Sequence, residues 1–131
     1  MKRVLVCEDE DLIRKGICKI VEGVCRDVQV QECDNGLEGY KAIAMWNPHV
    51  VITDIRMPVM DGLTATKTIR SLERQDAKTI PIIAMTANAF REDAEKCMEA
   101  GMNAHLAKPL DDKKIKQTIS EELRRSNACH E

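Results

Sequence analysis

Five short apolar runs, each followed by a stretch with apolar residues at helical spacing, constrain this chain more tightly than any other feature of its sequence. Val4-Leu5-Val6-Cys7, Val50-Val51-Ile52-Thr53 and Ile82-Ile83-Ala84-Met85 are continuous runs bounded by charged or turn residues, the pattern of strands covered on both faces. Val28-Gln29-Val30-Gln31 alternates instead, and Ala104-His105-Leu106-Ala107 holds a polar residue within a short run. Both therefore predict strands at the edges of a sheet. Ile13, Ile17, Ile20 and Val24 recur at helical spacing after Asp11, a candidate N-cap. Leu37, Tyr40 and Ala44 predict a second helix, opened by the Asp34-Asn35-Gly36 turn and ended by Asn47-Pro48. Leu63, Thr66, Ile69 and Leu72 predict a third, Ala89 to Ala100 a fourth stopped by Gly101, and Ile115, Ile119 and Leu123 a fifth.

Strand then helix, repeated five times, demands parallel strands joined by right-handed crossovers, with helices on both faces because the middle strands are apolar throughout. The expected fold is α/β, an open doubly wound five-stranded parallel sheet. At 131 residues the chain is too short for an eight-stranded barrel. It has room for one domain, predicted over residues 1–125, with a polar tail at 126–131.

Composition narrows the function. Apolar residues make up 44% of the chain and charged residues 32%, enough to bury a core. Twenty basic residues against 22 acidic ones leave a net charge of −2, which supplies no positive field for direct nucleic acid binding. Tyr40, Trp46 and Phe90 are the whole aromatic complement, too few to stack bases. No apolar run approaches the roughly 20 residues that span a bilayer, and the opening residues lack a signal peptide's apolar region. The expected location is cytoplasmic, without membrane insertion. Cys7, Cys18, Cys25, Cys33, Cys97 and Cys129 form no CxxC pair or Cys/His ligand set, so they read as reduced thiols, mostly in the core, rather than as a zinc site.

In open parallel sheets the functional crevice lies beyond the carboxyl ends of the strands. There the chain places Glu8-Asp9-Glu10-Asp11 after the first strand, Asp54 after the third, Thr86 after the fourth and Lys108-Pro109 after the fifth. Taken alone, each has a plainer reading. Acids ahead of a helix serve as caps or dipole partners, a lone Asp after a strand is a turn residue, Thr86 caps a helix, and Lys108 is a solvated amine. Their conjunction is what points to chemistry. Three carboxylates brought together repel and raise one another's pKa unless a cation lies among them. Carboxylate, carbonyl and water ligands favour Mg²⁺, with Mn²⁺ able to substitute. Lys108 adds positive charge and Thr86 a hydroxyl donor, so the pocket suits a phosphoryl group bonded to Asp54. Hydrolysis of that acyl phosphate would erase the mark.

Val4-Leu5-Val6-Cys7-Glu8-Asp9-Glu10, Asp54-Ile55-Arg56-Met57-Pro58-Val59-Met60-Asp61-Gly62, Ala84-Met85-Thr86-Ala87 and Lys108-Pro109 together resemble the receiver domain of two-component response regulators. The resemblance covers residues 2–125. It implies a flavodoxin-like strand order 2-1-3-4-5. It further implies that Asp54 accepts a phosphoryl group from the phosphohistidine of a histidine kinase or histidine phosphotransfer protein. Glu8 and Asp9 would hold Mg²⁺ directly or through water, beside Asp54 and the backbone carbonyl of Arg56. Thr86 would swing toward the phosphoryl group and Lys108 would pair with it, its bond to Pro109 being cis. Gly62 would take a backbone angle that a side chain resists. Leu12, Ile13 and Pro109 would border the pocket where the donor docks, and Arg56 and Asn88 resemble positions that tune dephosphorylation.

The resemblance also implies an output face built from the fourth helix, fifth strand and fifth helix, for a downstream effector that the sequence does not name. Met98, Met102 and Phe90 read as packing residues there. The family couples its threonine to an aromatic residue three positions before the lysine, and this chain has His105 at that place. Imidazole is smaller, polar and titratable, so His105 reads either as a variable surface position or as a participant in switching.

Three other readings stand beside the receiver. A haloacid dehalogenase-type phosphatase shares the aspartyl phosphate and Mg²⁺, but its family has its Asp-x-Asp after the first strand, whereas the candidate nucleophile here, Asp54, comes after the third. A flavodoxin-like electron carrier shares the sheet, yet the acids at Glu8 to Asp11 would repel a flavin phosphate. The third is a receiver-like module that binds partners without phosphorylation. Met1 close to the first strand reads as the natural start of a stand-alone regulator. The runs Met85 to Phe90 and Ala100 to Asn103 are similar to receivers attached to hybrid histidine kinases, which makes an excised receiver the alternative. In either case the expected protein catalyses its own phosphorylation and dephosphorylation without turning over an independent substrate, and so is not an enzyme in the usual sense.

Overall fold

The computed structural model describes residues 2–24, 27–46, 48–55, 62–71, 80–86, 91–107 and 111–130, with side chains described at these positions except 44, 91–94 and 125–130. Strands and helices alternate: β1 (Lys2–Cys7), α1 (Asp11–Val24), β2 (Val28–Cys33), α2 (Gly36–Trp46), β3 (Val50–Asp54), α3 (Gly62–Arg70), β4 (Ile82–Thr86), α4 (Arg91–Ala100), β5 (Ala104–Ala107) and α5 (Asp112–His130). The five strands form one sheet in the order β2-β1-β3-β4-β5, every neighbouring pair parallel. This is the predicted doubly wound fold, with the alternating runs at the two edges. Every residue of β3 and β4 is buried, as their unbroken apolar runs require.

The pleat divides the core into two layers. Leu5, Cys7, Val51, Ile82 and Ala84 pack with Ala42, Ile43, Ile69 and Cys97 from α2, α3 and α4. Val4, Val6, Ile52, Ile83 and Met85 pack with Ile17, Val21, Ile115, Ile119 and Leu123 from α1 and α5. Each fully buried aliphatic side chain contributes about 1.5–3 kcal/mol relative to exposure, so these two layers are what hold the strand ends in place.

Local signals behave as read. The Asn35 carboxamide accepts from the Glu38 amide at 2.9 Å and the Asn35 carbonyl from the Gly39 amide at 3.2 Å, capping α2. Gly101 ends α4 with φ at 104°, and the Met102 amide reaches back to the Cys97 carbonyl at 3.0 Å, a turn that a side chain at Gly101 would strain.

Several expectations change. Asp11 is the first residue of α1 rather than a flanking cap, and its carboxylate pairs with Arg14 at 2.6 Å. The helix of α5 runs on through the polar stretch 126–130 to His130. Met102 is core, at 2% exposure, but it follows α4 rather than lying on it, and Met98 is a surface residue at 60%. Helix periodicity alone could not separate these two, because Gly101 breaks the phase between them. Leu72, Asn47, Cys25, Phe90 and the first two positions of the predicted fourth helix, Ala89 included, lie outside the described residues, and so does the side chain of Cys129.

Candidate functional site

The sheet order reverses between β1 and β3, and in a doubly wound sheet the crevice opens beyond the carboxyl ends at that point. Cys7 pairs with Thr53 across the two strands, so one further residue brings Glu8 beside Asp54. The chain thus delivers its acids to the crevice through register alone. One carboxylate oxygen from each of Glu8, Asp9 and Asp54 lies within 4.8 Å of the others. Glu8 and Asp54 are buried, at 0% and 6% exposure, whereas Asp9 faces solvent. That combination offers two buried anionic ligands and one exposed one.

The backbone around the acids is tightly seated. The Glu8 amide donates to the Cys33 carbonyl at 3.0 Å and the Ile55 amide to the Met85 carbonyl at 3.1 Å, extending both ladders into the site. The Asp9 amide donates to the Glu8 carboxylate at 3.1 Å. Thr66 on α3 is buried and donates to the Gly62 carbonyl at 2.7 Å, and the Gly62 amide returns to the Ile55 carbonyl at 3.2 Å. Gly62 is needed for a different reason than expected. Its backbone angle is not in the left-handed region that glycine favours; instead, a Cβ there would run into the carbonyl of Asp54.

Arg14 was not singled out in the sequence. Its guanidinium donates to the Glu8 carbonyl at 2.9 Å, to the Glu32 carboxylate at 3.0 Å and to Asp11. The hydrogen bond to Asp11 is the largest influence raising its pKa above the usual guanidinium value, with Glu32 adding to it. Arg14 therefore braces the turn that presents Glu8 and Asp9. The only advance signal is its position three residues after Asp11, a spacing that places two side chains on one helix face.

Thr86 is fully buried as the last residue of β4, one step beyond Met85, the partner of Asp54. It pairs with Ala107, the residue before Lys108. His105 is exposed on β5 and pairs with Ala84. Leu12 is 89% exposed on the first turn of α1, and Ile13 is partly buried. Lys108, Pro109, Arg56, Met57, Pro58 and Asn88 lie outside the described residues.

Comparison with known proteins meets this geometry. The family model described as response regulator receiver domain matches residues 4–120. The chain is 31% identical over 117 residues to the sensor histidine kinase RcsC of Escherichia coli strain K12, a match covering 89% of this chain and 12% of that protein. It is 35% identical over 118 residues to the hybrid signal transduction histidine kinase G of Dictyostelium discoideum, covering 90% of this chain and 3% of the kinase. Among solved structures, the receiver domain of a sensor histidine kinase from Pseudomonas aeruginosa PAO1, with a magnesium ion coordinated in its active-site cleft, superposes with a TM-score of 0.83. That match is 29% identical and covers 93% of this chain and 97% of the other.

The chain belongs to the response regulator receiver domain family, the receivers of two-component signalling. The dehalogenase and flavodoxin readings fall with that assignment. The chain spans between 3% and 13% of the length of the curated histidine kinases it matches. Among the described residues, no helix is long and apolar enough to cross a membrane.

Proposed function

We propose that this receiver takes a phosphoryl group on Asp54 from a histidine kinase or histidine phosphotransfer protein and returns it to water, turning over no separate substrate. The observation that carries the reading is the convergence of the Glu8, Asp9 and Asp54 carboxylates within 4.8 Å. An all-oxygen anionic donor set of this kind suits a hard divalent ion, Mg²⁺ first and Mn²⁺ as substitute, held by Glu8, Asp9 and Asp54 with the backbone carbonyl of Arg56. When bound, the ion supplies positive charge against the phosphoryl oxygens.

The chain's own groups do the rest. An oxygen of Asp54 attacks phosphorus, the phosphorus–nitrogen bond to the donor imidazole breaks, and the phosphoryl group stays on the carboxylate as an acyl phosphate. Burial of Asp54 and exposure of Asp9 support an approach for water from the Asp9 side. The Thr86 hydroxyl and Lys108 ammonium are assigned to the phosphoryl oxygens, and Arg56 and Asn88 to the rate of hydrolysis. The exposed Met98 on α4 and His105 on β5 support an output surface on α4, β5 and α5 whose affinity for an effector changes with phosphorylation. His105 enters that surface as a partner contact or as a side chain that changes rotamer with Thr86.

Incubation with Mg²⁺ and a small acyl phosphate or amidophosphate tests the reading directly, with intact mass as the readout. One phosphoryl group should be gained, chelation should prevent the gain, and Asp54→Asn should abolish it. Absence of transfer to the wild type would reject the proposal in favour of a module that binds partners unmodified.

A further inference from the structure

Cys7 and Cys33 are the last residues of β1 and β2 and stand directly opposite each other in register. Both side chains join the same apolar cluster, so they leave the sheet on one face. Each thiol shifts the other's ionisation, Cys33 pushing the Cys7 thiol up and Cys7 drawing the Cys33 thiol down. Paired strands lie about 4.8 Å apart, inside the range of about 4.4–6.8 Å between Cα atoms that a disulfide accepts. That spacing is compatible with a bond between them.

Their surroundings differ. α2 crosses Cys7 so closely that a Cβ on Gly39 would sit 2.7 Å from the Cys7 sulfur, which closes that thiol from above. Cys33 instead lines a cavity of about 680 Å³ between α1, β2 and α2, where Arg14, Lys15 and Lys41 are matched by Glu32, Asp34 and Glu38. Cys33, at 8% exposure, thus borders space that a small polar molecule can enter, and Cys7, at 2%, lies behind it.

We propose that Cys33 and Cys7 form an oxidisable dithiol, a modification site at which hydrogen peroxide entering this cavity oxidises Cys33 and Cys7 then closes a disulfide across the ends of β1 and β2. The Cys33 sulfur attacks one peroxide oxygen, the oxygen–oxygen bond breaks, and the leaving hydroxide departs as water with the thiol proton, giving a sulfenic acid. The Cys7 sulfur displaces that hydroxyl group. The sulfur–sulfur bond forms as the sulfur–oxygen bond breaks, and a second water carries off the Cys7 proton. Two thiols lose two electrons together and one peroxide is reduced. Neither metal nor phosphoryl donor takes part, so this proposal stands or falls separately from the one above.

Trypsin cuts after Arg3, Arg14, Arg26 and Lys41, leaving Cys7 and Cys33 in separate peptides with no other cysteine. The folded wild-type chain is treated with one equivalent of hydrogen peroxide, blocked with iodoacetamide in denaturant, and digested without reductant. The expected result is a single cross-linked pair of these two peptides, lighter by two hydrogens than their sum and separated by a thiol reductant. The Cys18 peptide should remain alkylated as an internal control, burial having pushed that thiol up to about 11. In Cys7→Ser, oxidation should stop at a sulfenic acid on Cys33 that a dimedone-type probe captures. Alkylation of both Cys7 and Cys33 after peroxide, or linkage of Cys33 to another cysteine, would overturn the proposal. So would an equal yield of the same linkage when peroxide is added to the denatured chain, since register would then select nothing.

Discussion

The two ends of the β1–β3 pair are built by opposite rules. At the amino end the Arg3 amide donates to His49 Nδ1 at 3.0 Å, the His49 amide donates to the Arg3 carbonyl at 2.7 Å, and the Lys2 amide reaches the Asp27 carbonyl at 2.9 Å. Donors there meet acceptors. At the carboxyl end the same two strands deliver Glu8 and Asp54 side by side and add Asp9, three carboxylates within 4.8 Å. Arg14 braces the turn from behind but directs its guanidinium to the Glu8 carbonyl, Asp11 and Glu32. One end follows the local rules of a stable sheet and the other departs from them. In a chain whose levels otherwise agree, such a departure marks the place where function is loaded.

The largest effect that would test this contrast is at Gly62, where a methyl group must enter space held by the Asp54 carbonyl. Gly62→Ala is expected to destabilise the fold by about 1–3 kcal/mol, read as a lower urea midpoint. An unchanged midpoint would mean that the carboxyl end is not tightly seated. Mg²⁺ sharpens the contrast next. At ten times its dissociation constant it should add about 1.4 kcal/mol to wild-type stability, and less than that in Asp9→Asn or Asp54→Asn. In metal-free buffer the deficit of Asp54→Asn relative to wild type should shrink by up to about 1 kcal/mol, because one of three like charges is gone. A deficit as large without Mg²⁺ as with it would contradict repulsion at this end.

How far the sequence could be read follows the same division. β3 and β4 were legible because burial on both faces demands an unbroken apolar run, and Val50 to Thr53 and Ile82 to Met85 are such runs. Glu8, Asp9 and Asp54 were legible because strand order and register carry them to one place with no help from side-chain detail. Features set by close approach were not. The need for Gly62 arises from the Asp54 carbonyl eight residues earlier in the chain, and its pattern resembles that of any glycine ahead of a helix. Arg14 is one basic residue among twenty, and only the folded turn shows that it reaches the Glu8 carbonyl. The opposition of Cys7 and Cys33 needs the β1–β2 register, which the alternating residues of an edge strand specify weakly.

The remaining effect lies at the quiet end. His49→Ala removes the acceptor for the Arg3 amide, and because both residues are partly buried, water can replace some of what is lost. The expected cost is about 0.5–1.5 kcal/mol in urea denaturation, with the slope unchanged and no dependence on Mg²⁺. Five residues of extended chain separate His49 from Asp54, about 16 Å at the rise of a strand. At that distance the effects of His49→Ala and Asp54→Asn should add in the double variant to within about 0.5 kcal/mol. A larger departure from additivity would show that the two ends share strain through β3, and the carboxyl end could no longer be treated as an isolated reservoir of repulsion.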